Sequence, residues 1–158
     1  VPALLTGLED LDPVVVRNAA VALAFFAQPE ARPELLRGLQ DPDPWRQWEA
    51  VFSLKNVGSP EVARALIPLL NAEIEPDIRV RQETSLALGS MGGGEVLSPL
   101  LDALQDDPSP QVRWRAALAL SRIADPSVVD DLARALSSEE DPQVREFIED
   151  AITNLQSQ

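Results

Sequence analysis

The chain contains no cysteine, no histidine and no tyrosine, and Lys55 is its single lysine. Without cysteine there are no disulfides, no thiolate metal site and no cysteine nucleophile, and cytoplasm is the default compartment. Aromatic residues make up only 4% of the sequence, too few for a core built on large rings. Packing of helix on helix, filled by Ala and Leu, needs few of them. No run of 18 apolar residues exists and the start does not read as a signal peptide, so no membrane insertion is expected. Positive charge is scarce as well. Thirteen basic residues face 26 acidic ones, for a formal net charge of −13. The imbalance is spread along the chain, with 7 basic against 12 acidic residues in 1–80 and 6 against 14 in 81–158. Such a field repels phosphate backbones and anionic membranes, and no Lys/Arg stripe offsets it, so nucleic acid is not expected as a partner. Twelve of the thirteen basic residues are Arg, whose planar guanidinium holds a carboxylate in fixed geometry, which suggests structural ion pairs.

What is present is a repeat. Leu8, Leu39, Leu70, Leu104 and Leu136 fall at gaps of 31, 31, 34 and 32 residues. Leu23, Leu54, Leu88, Leu120 and Ile152 fall at gaps of 31, 34, 32 and 32. Two interleaved apolar ladders with one period predict stacked two-helix units: an all-α fold, an α-solenoid superhelix of about ten antiparallel paired helices. The repeat after Asp107 is the clearest. Asp107-Pro108-Ser109-Pro110 supplies acceptors and a proline for a helix start. Val112, Ala116, Leu120 and Ile123 then form one apolar stripe. Asp125-Pro126-Ser127 breaks the helix and opens a second, with its stripe at Val128, Leu132, Ala135 and Leu136. A sharp polar turn between two short amphipathic helices makes an antiparallel pair.

The other segments superpose on this one, with breakers at Pro29, Ser59-Pro60 and Gly92-Gly93-Gly94. The expected division is a half repeat at 1–10, repeats at 11–40, 41–74, 75–106 and 107–140, and a closing helix at 141–156, all in one domain. The stretch Asn71 to Pro76 should be the longest inter-repeat link, because the period stretches there. The chain opens at Val1 without Met and inside a repeat, and is expected to be a fragment of a longer protein.

Asp-Pro, then Val-Arg, then Ala-Ala-x-Ala-Leu, complete at Val112-Arg113 and Ala116 to Leu120, resembles the HEAT-like repeats of phycobilin lyases. The resemblance runs through essentially the whole chain. It implies a ladder of Asp–Arg pairs between successive repeats, here through Asp107, Asp141, Arg81 and Arg113. In the first two repeats Val16/Arg17 and Arg46/Gln47 contest the Arg position, so no regular ladder is expected there. HEAT-like repeats also form a di-iron hydroxylase that holds metal with His-Glu pairs; a chain without His lacks those ligands. The resemblance also leaves open a role as an accessory subunit of a bilin lyase or another factor in pigment-protein maturation or turnover. Lyase chemistry of that kind needs no Cys on the lyase itself, but no residue here takes that role.

Glu139-Glu140-Asp141 and Asp130-Asp131 read as solvated helix ends and caps rather than a metal site. Gly92 to Gly94 follow no strand and precede no Lys, so they read as a helix end and chain reversal, not a phosphate loop. No catalytic residue, cofactor or metal is expected. Trp48 and Trp114 align two repeats apart, in a column otherwise holding Arg17, Gln82 and Glu146. Such a column is wet, so each Trp either covers a neighbouring repeat or awaits a partner. Trp45, beside a proline at a helix start, reads as a local staple. Outward positions of the second helices include Arg37, Arg64, Asp102, Asp130, Asp131 and Arg134. With Trp48 and Trp114 they are the candidate partner-binding residues. The expected function is a non-catalytic interaction scaffold that binds another protein along its second helices.

Overall fold

A computed structural model describes Val1–Ser157, and among these residues there are ten α-helices and no strand. They are α1 Pro2–Gly7, α2 Pro13–Phe25, α3 Arg32–Gly38, α4 Pro44–Leu54 and α5 Pro60–Leu66. After these come α6 Ile78–Met91, α7 Leu97–Asp106, α8 Pro110–Ile123, α9 Val129–Ser138 and α10 Pro142–Gln156. The residues fall into two compact units, the first Val1–Ala65 and the second from Leu66 onward.

The even-numbered helices of both units share one start signal. Asp12, Asp43, Asp77 and Asp141 stand in extended conformation at the N-cap, and each carboxylate accepts a hydrogen bond from a backbone N–H of the first turn. Proline at the first helical position follows at Pro13, Pro44, Pro110 and Pro142, where its missing N–H costs nothing. Ser109 holds the cap position of α8, but its hydroxyl bonds the Gln111 side chain instead. Short 3₁₀ turns at Pro29–Ala31, Gly94–Val96 and Pro126–Val128 lead directly into α3, α7 and α9.

In the first unit α2 packs on α1, α3 and α4, and α3 on α4. In the second, α6, α8 and α10 lie side by side, α7 lies beside α9, and each of α7 and α9 packs on the α-helix that follows it. Serial stacking of helix pairs of this kind is the all-α solenoid arrangement expected from the period. The leucine ladder of the longer helices forms the core: Leu23, Leu54, Leu88 and Leu120 are all 0% exposed. The other ladder is buried at Leu39, Leu70 and Leu104. Its outer rungs Leu8 and Leu136 are only half-buried, as are Ile123 and Ile152, contrary to the uniform burial the ladders imply. In α10 the buried residues are instead Val144, Ile148, Ala151 and Leu155. Ile148 fills the position that Ala19, Ala50 and Ala116 hold elsewhere.

Small residues set how closely the helices approach. A Cβ on Gly89 of α6 would stand 2.6 Å from the Ala119 Cβ and 2.7 Å from its Cα in α8. Only glycine allows that contact, since even one added methyl overpacks such a site. The link that starts at Asn71 and ends at the cap Asp77 is the longest non-helical connection between repeats, as the stretched period predicts. It is nonetheless tied down: Asn71 accepts from the Glu73 N–H through its side chain and from the Ile74 and Glu75 N–H groups through its carbonyl.

The helices α6 and α8 both end on a residue of positive φ, Gly92 at φ 68° and Ala124 at φ 58°, ψ 36°. Glycine adopts this conformation freely, whereas alanine meets its Cβ clash. Ala124→Gly is therefore expected to raise stability by up to about 1 kcal/mol, read as an increased urea midpoint with an unchanged slope. For Leu54, Leu88 and Leu120, each fully buried, change to Ala should cost roughly 2–5 kcal/mol through lost burial and a residual cavity. A loss below about 1 kcal/mol at two of the three would show that the core is not where these stripes place it.

Candidate functional site

The polar framework is built on an acidic residue two positions before each N-cap. Asp10, Asp41, Glu75, Asp107 and Glu139 each accept, through a carboxylate oxygen, the backbone N–H of the cap residue two places on, at 2.8–2.9 Å. In the second unit this carboxylate takes a second load. Arg81 of α6 donates through Nε and Nη2 to Asp107, at 2.7 and 3.1 Å, and both side chains are nearly completely buried. Its remaining Nη1 donates to the Glu75 and Pro76 carbonyls at 2.9 and 3.0 Å. One guanidinium thus ties the start of its own repeat to the start of the next. Arg113 of α8 repeats the arrangement, with Nε and Nη2 on Glu139 at 2.7 and 2.9 Å and Nη1 on the Asp107 carbonyl at 3.0 Å.

The expected pairing of Arg113 with Asp141 is therefore wrong by two residues. Asp141 faces its own helix and accepts from the Gln143 and Val144 N–H groups, while Glu139 occupies the place equivalent to Asp107. Arg145 ends the series, donating to the Leu136 and Glu139 carbonyls, each at 2.8 Å. In the first unit Val16 and Gln47 hold the Arg position, and Gln47 donates to the Leu39 carbonyl at 3.0 Å. The irregularity expected at that end is present.

The shifted titrations belong to this framework. The Arg113 guanidinium holds the Glu139 carboxyl below the usual carboxylate range, against the opposing effect of burial, and Glu139 in turn raises Arg113. Arg79 lowers the Asp77 carboxyl, and hydrogen bonds from Ser127 lower that of Asp125. Each of these groups works at a helix start. Among the described residues no group of three or more carboxylates is placed to hold a metal ion.

The candidate contact residues divide between the units. In the first, Arg37 projects from α3, paired with Glu34 one turn earlier, and Arg64 is exposed on α5. In the second, Asp102 of α7 and Asp131 and Arg134 of α9 line one groove of about 690 Å³, together with Ser98. Asp131 and Arg134 pair with each other across one turn. Asp130 is exposed on α9 but does not line that groove.

Both candidate tryptophans are half-buried by ring stacking. Trp48 lies between Trp45 and Phe52, with ring centroids 5.0 and 5.2 Å away and planes inclined by 23° in both cases. Trp114 stacks on Phe147 of α10 at 4.9 Å, with the Arg115 guanidinium over its ring at 4.2 Å. Trp45 is not a staple: it is 57% exposed and forms the outer end of the α4 stack, one turn before Trp48. The 45–48–52 spacing, three then four residues, carries that stack in the sequence.

The HEAT repeats family matches residues 1–79 and 68–153, and the chain belongs to that family. No curated protein matches the chain. Among solved structures it is similar to the complex of CpcE and CpcF of phycocyanin lyase from Nostoc sp. PCC7120, at a TM-score of 0.70 and 20% identity, over 95% of this chain and 96% of that one. It is similar to human deoxyhypusine hydroxylase in complex with glycerol at a TM-score of 0.65 and 21% identity, over 99% of this chain and 74% of that one. An epoxyqueuosine reductase matches at a TM-score of 0.51 and 29% identity over 57% of this chain, which spans 28% of that protein's length. The first two likenesses are of fold.

The lowered Glu139 carboxyl has a pH consequence. Between its depressed native value and the ordinary glutamate value near 4.3, the unfolded chain binds more protons than the folded one, so stability rises with pH. The contribution is complete above that ordinary value and is lost as pH falls through the native one. Glu139→Gln, which leaves Arg113 without its carboxylate, should cost about 1.5–3 kcal/mol at pH 7. It should also flatten the loss of stability below about pH 4.3, as measured by thermal melting at a series of pH values.

Proposed function

We propose that this chain is a non-catalytic scaffold that binds another protein along the outward face of its second helices. The observation that carries the reading is the groove in the second unit where Ser98, Asp102, Asp131 and Arg134 meet from two successive second helices. The residues of one helix lie 29 to 36 positions from those of the other, and repeat stacking alone aligns them. The titratable groups that depart from ordinary values all serve helix starts and ion pairs, consistent with a surface that recognises rather than reacts. Six acidic residues against one basic in 139–150 would steer a basic partner toward that end of the chain. No helix among the described residues is long and apolar enough to cross a membrane.

A second reading, an accessory subunit of a bilin lyase or of another pigment-protein maturation or turnover factor, draws on the near-complete mutual coverage with one chain of the phycocyanin lyase complex. The two readings separate by experiment. A photo-crosslinking residue placed at Asp131 should capture one discrete partner that the same residue placed at Glu149 does not, and equal capture at both would overturn the scaffold reading. With that partner in hand, changing Asp102, Asp130 and Asp131 together to Asn should slow association roughly tenfold at low salt and weaken its salt dependence. An unchanged rate clears these residues and moves the contact to Trp48 and Trp114. An absorbance change on mixing with free bilin favours the second reading instead.

A further inference from the structure

Beside the groove between α7 and α9 lies a second one in the same unit, of about 710 Å³, on the other side of the Asp102–Asp106 ridge. One wall is the link after Leu70, which carries Glu73 and the 60% exposed Ile74. The other is the C-terminal half of α7 with Asp107-Pro108 beyond it. Between them the floor is apolar, supplied by Ile67, Pro68, Leu70, Pro99 and Ala103. Glu73, Asp102 and Asp106 are exposed on the rim, and among the described residues no Lys or Arg lines the groove.

The two walls are locked together from beneath. Arg81 grips the Glu75 and Pro76 carbonyls of the link with Nη1 and the Asp107 carboxylate of the opposite wall with Nε and Nη2. Asn71 fixes the turn that presents Glu73 and Ile74. A groove held open in this way orders little on binding, which lowers the entropic cost of association. Its rim carries charge of one sign over an apolar floor, so a complementary occupant pairs cations with one or two apolar side chains.

We infer that the groove walled by the Asn71–Asp77 link and the end of α7 binds a basic, amphipathic segment of a protein partner, with Lys or Arg on Glu73, Asp102 and Asp106 and an apolar side chain against Ile74 and Leu70. The inference rests on the second-helix face as a protein-binding surface and names the chemistry of what it binds. It is tested without the partner, so its failure leaves the crosslinking result at Asp131 standing on its own.

The probe is a short fluorescent peptide with two Leu between pairs of Lys, compared with versions carrying Ser for Leu or Glu for Lys. Fluorescence anisotropy should show binding of the Lys/Leu peptide only, weakening as salt rises. Glu73→Gln with Asp106→Asn should weaken it about tenfold or more, and Ile74→Thr several-fold. Glu30→Gln with Glu95→Gln removes the same charge outside both grooves and should leave affinity within about twofold. All five side chains are at least partly exposed, and circular dichroism confirms that each variant retains its helices. Equal weakening by the two double variants would mean attraction to the overall field, and equal binding of the Ser peptide would mean that the apolar floor plays no part. Either result, or no binding of the Lys/Leu peptide, overturns the inference.

Discussion

Arg81 and Asp107 take two opposite charges almost completely out of water, and the second unit is organised around the way their desolvation is offset. A buried ion pair recovers that cost only when its geometry is good and its remaining donors and lone pairs are used. Here the requirement is met throughout: the guanidinium spends two nitrogens on the carboxylate and the third on two backbone carbonyls. The carboxylate also accepts the Ser109 N–H at the start of α8. One interaction therefore fixes the link, the start of a helix and the register between successive repeats. Removing either partner from such a pair costs about 3–5 kcal/mol, because the other is left buried and alone.

The same economy shapes the apolar interior. None of the seven aromatic residues is buried; the core is Leu, Val, Ile and Ala. Short helices that must approach as closely as Gly89 and Ala119 leave no room for rings. The rings are displaced to the surface, where they cover one another in stacks on α4 and between α8 and α10. Surface aromatic stacks and grooves lined by successive helices are both products of repetition. A repeated unit aligns equivalent positions, and a partner can then meet residues that are distant in the chain.

Much of this was legible beforehand. The helix count, the buried leucines and the long connection at Asn71 follow from a period and a few breakers, because local capping and a one-sided apolar stripe are encoded within a dozen residues. The exchange of Glu139 for Asp141 was not legible from the Asp-Pro pair alone. Both acids precede a helix, and only the cap geometry assigns one to the backbone of its own helix and the other to the arginine of the preceding repeat. A signal existed in the recurrence of an acid two residues before every cap. Trp45 was misread for a related reason: its place at a helix start suggested a local contact, while the three-then-four spacing to Trp48 and Phe52 carried the stack.

By itself the sequence determined that this is an all-α repeat protein of the HEAT family, and that Leu23, Leu54, Leu88 and Leu120 are withdrawn from water. These depend on neighbours within one or two helical turns, and on a periodicity that survives irregular gaps. Tertiary structure alone decided which carboxylate meets which guanidinium, and that Asp102 and Asp106 form the ridge between two grooves. Those outcomes turn on the positions of side chains about thirty residues apart, where a shift of two residues along the chain moves a charge from one partner to another.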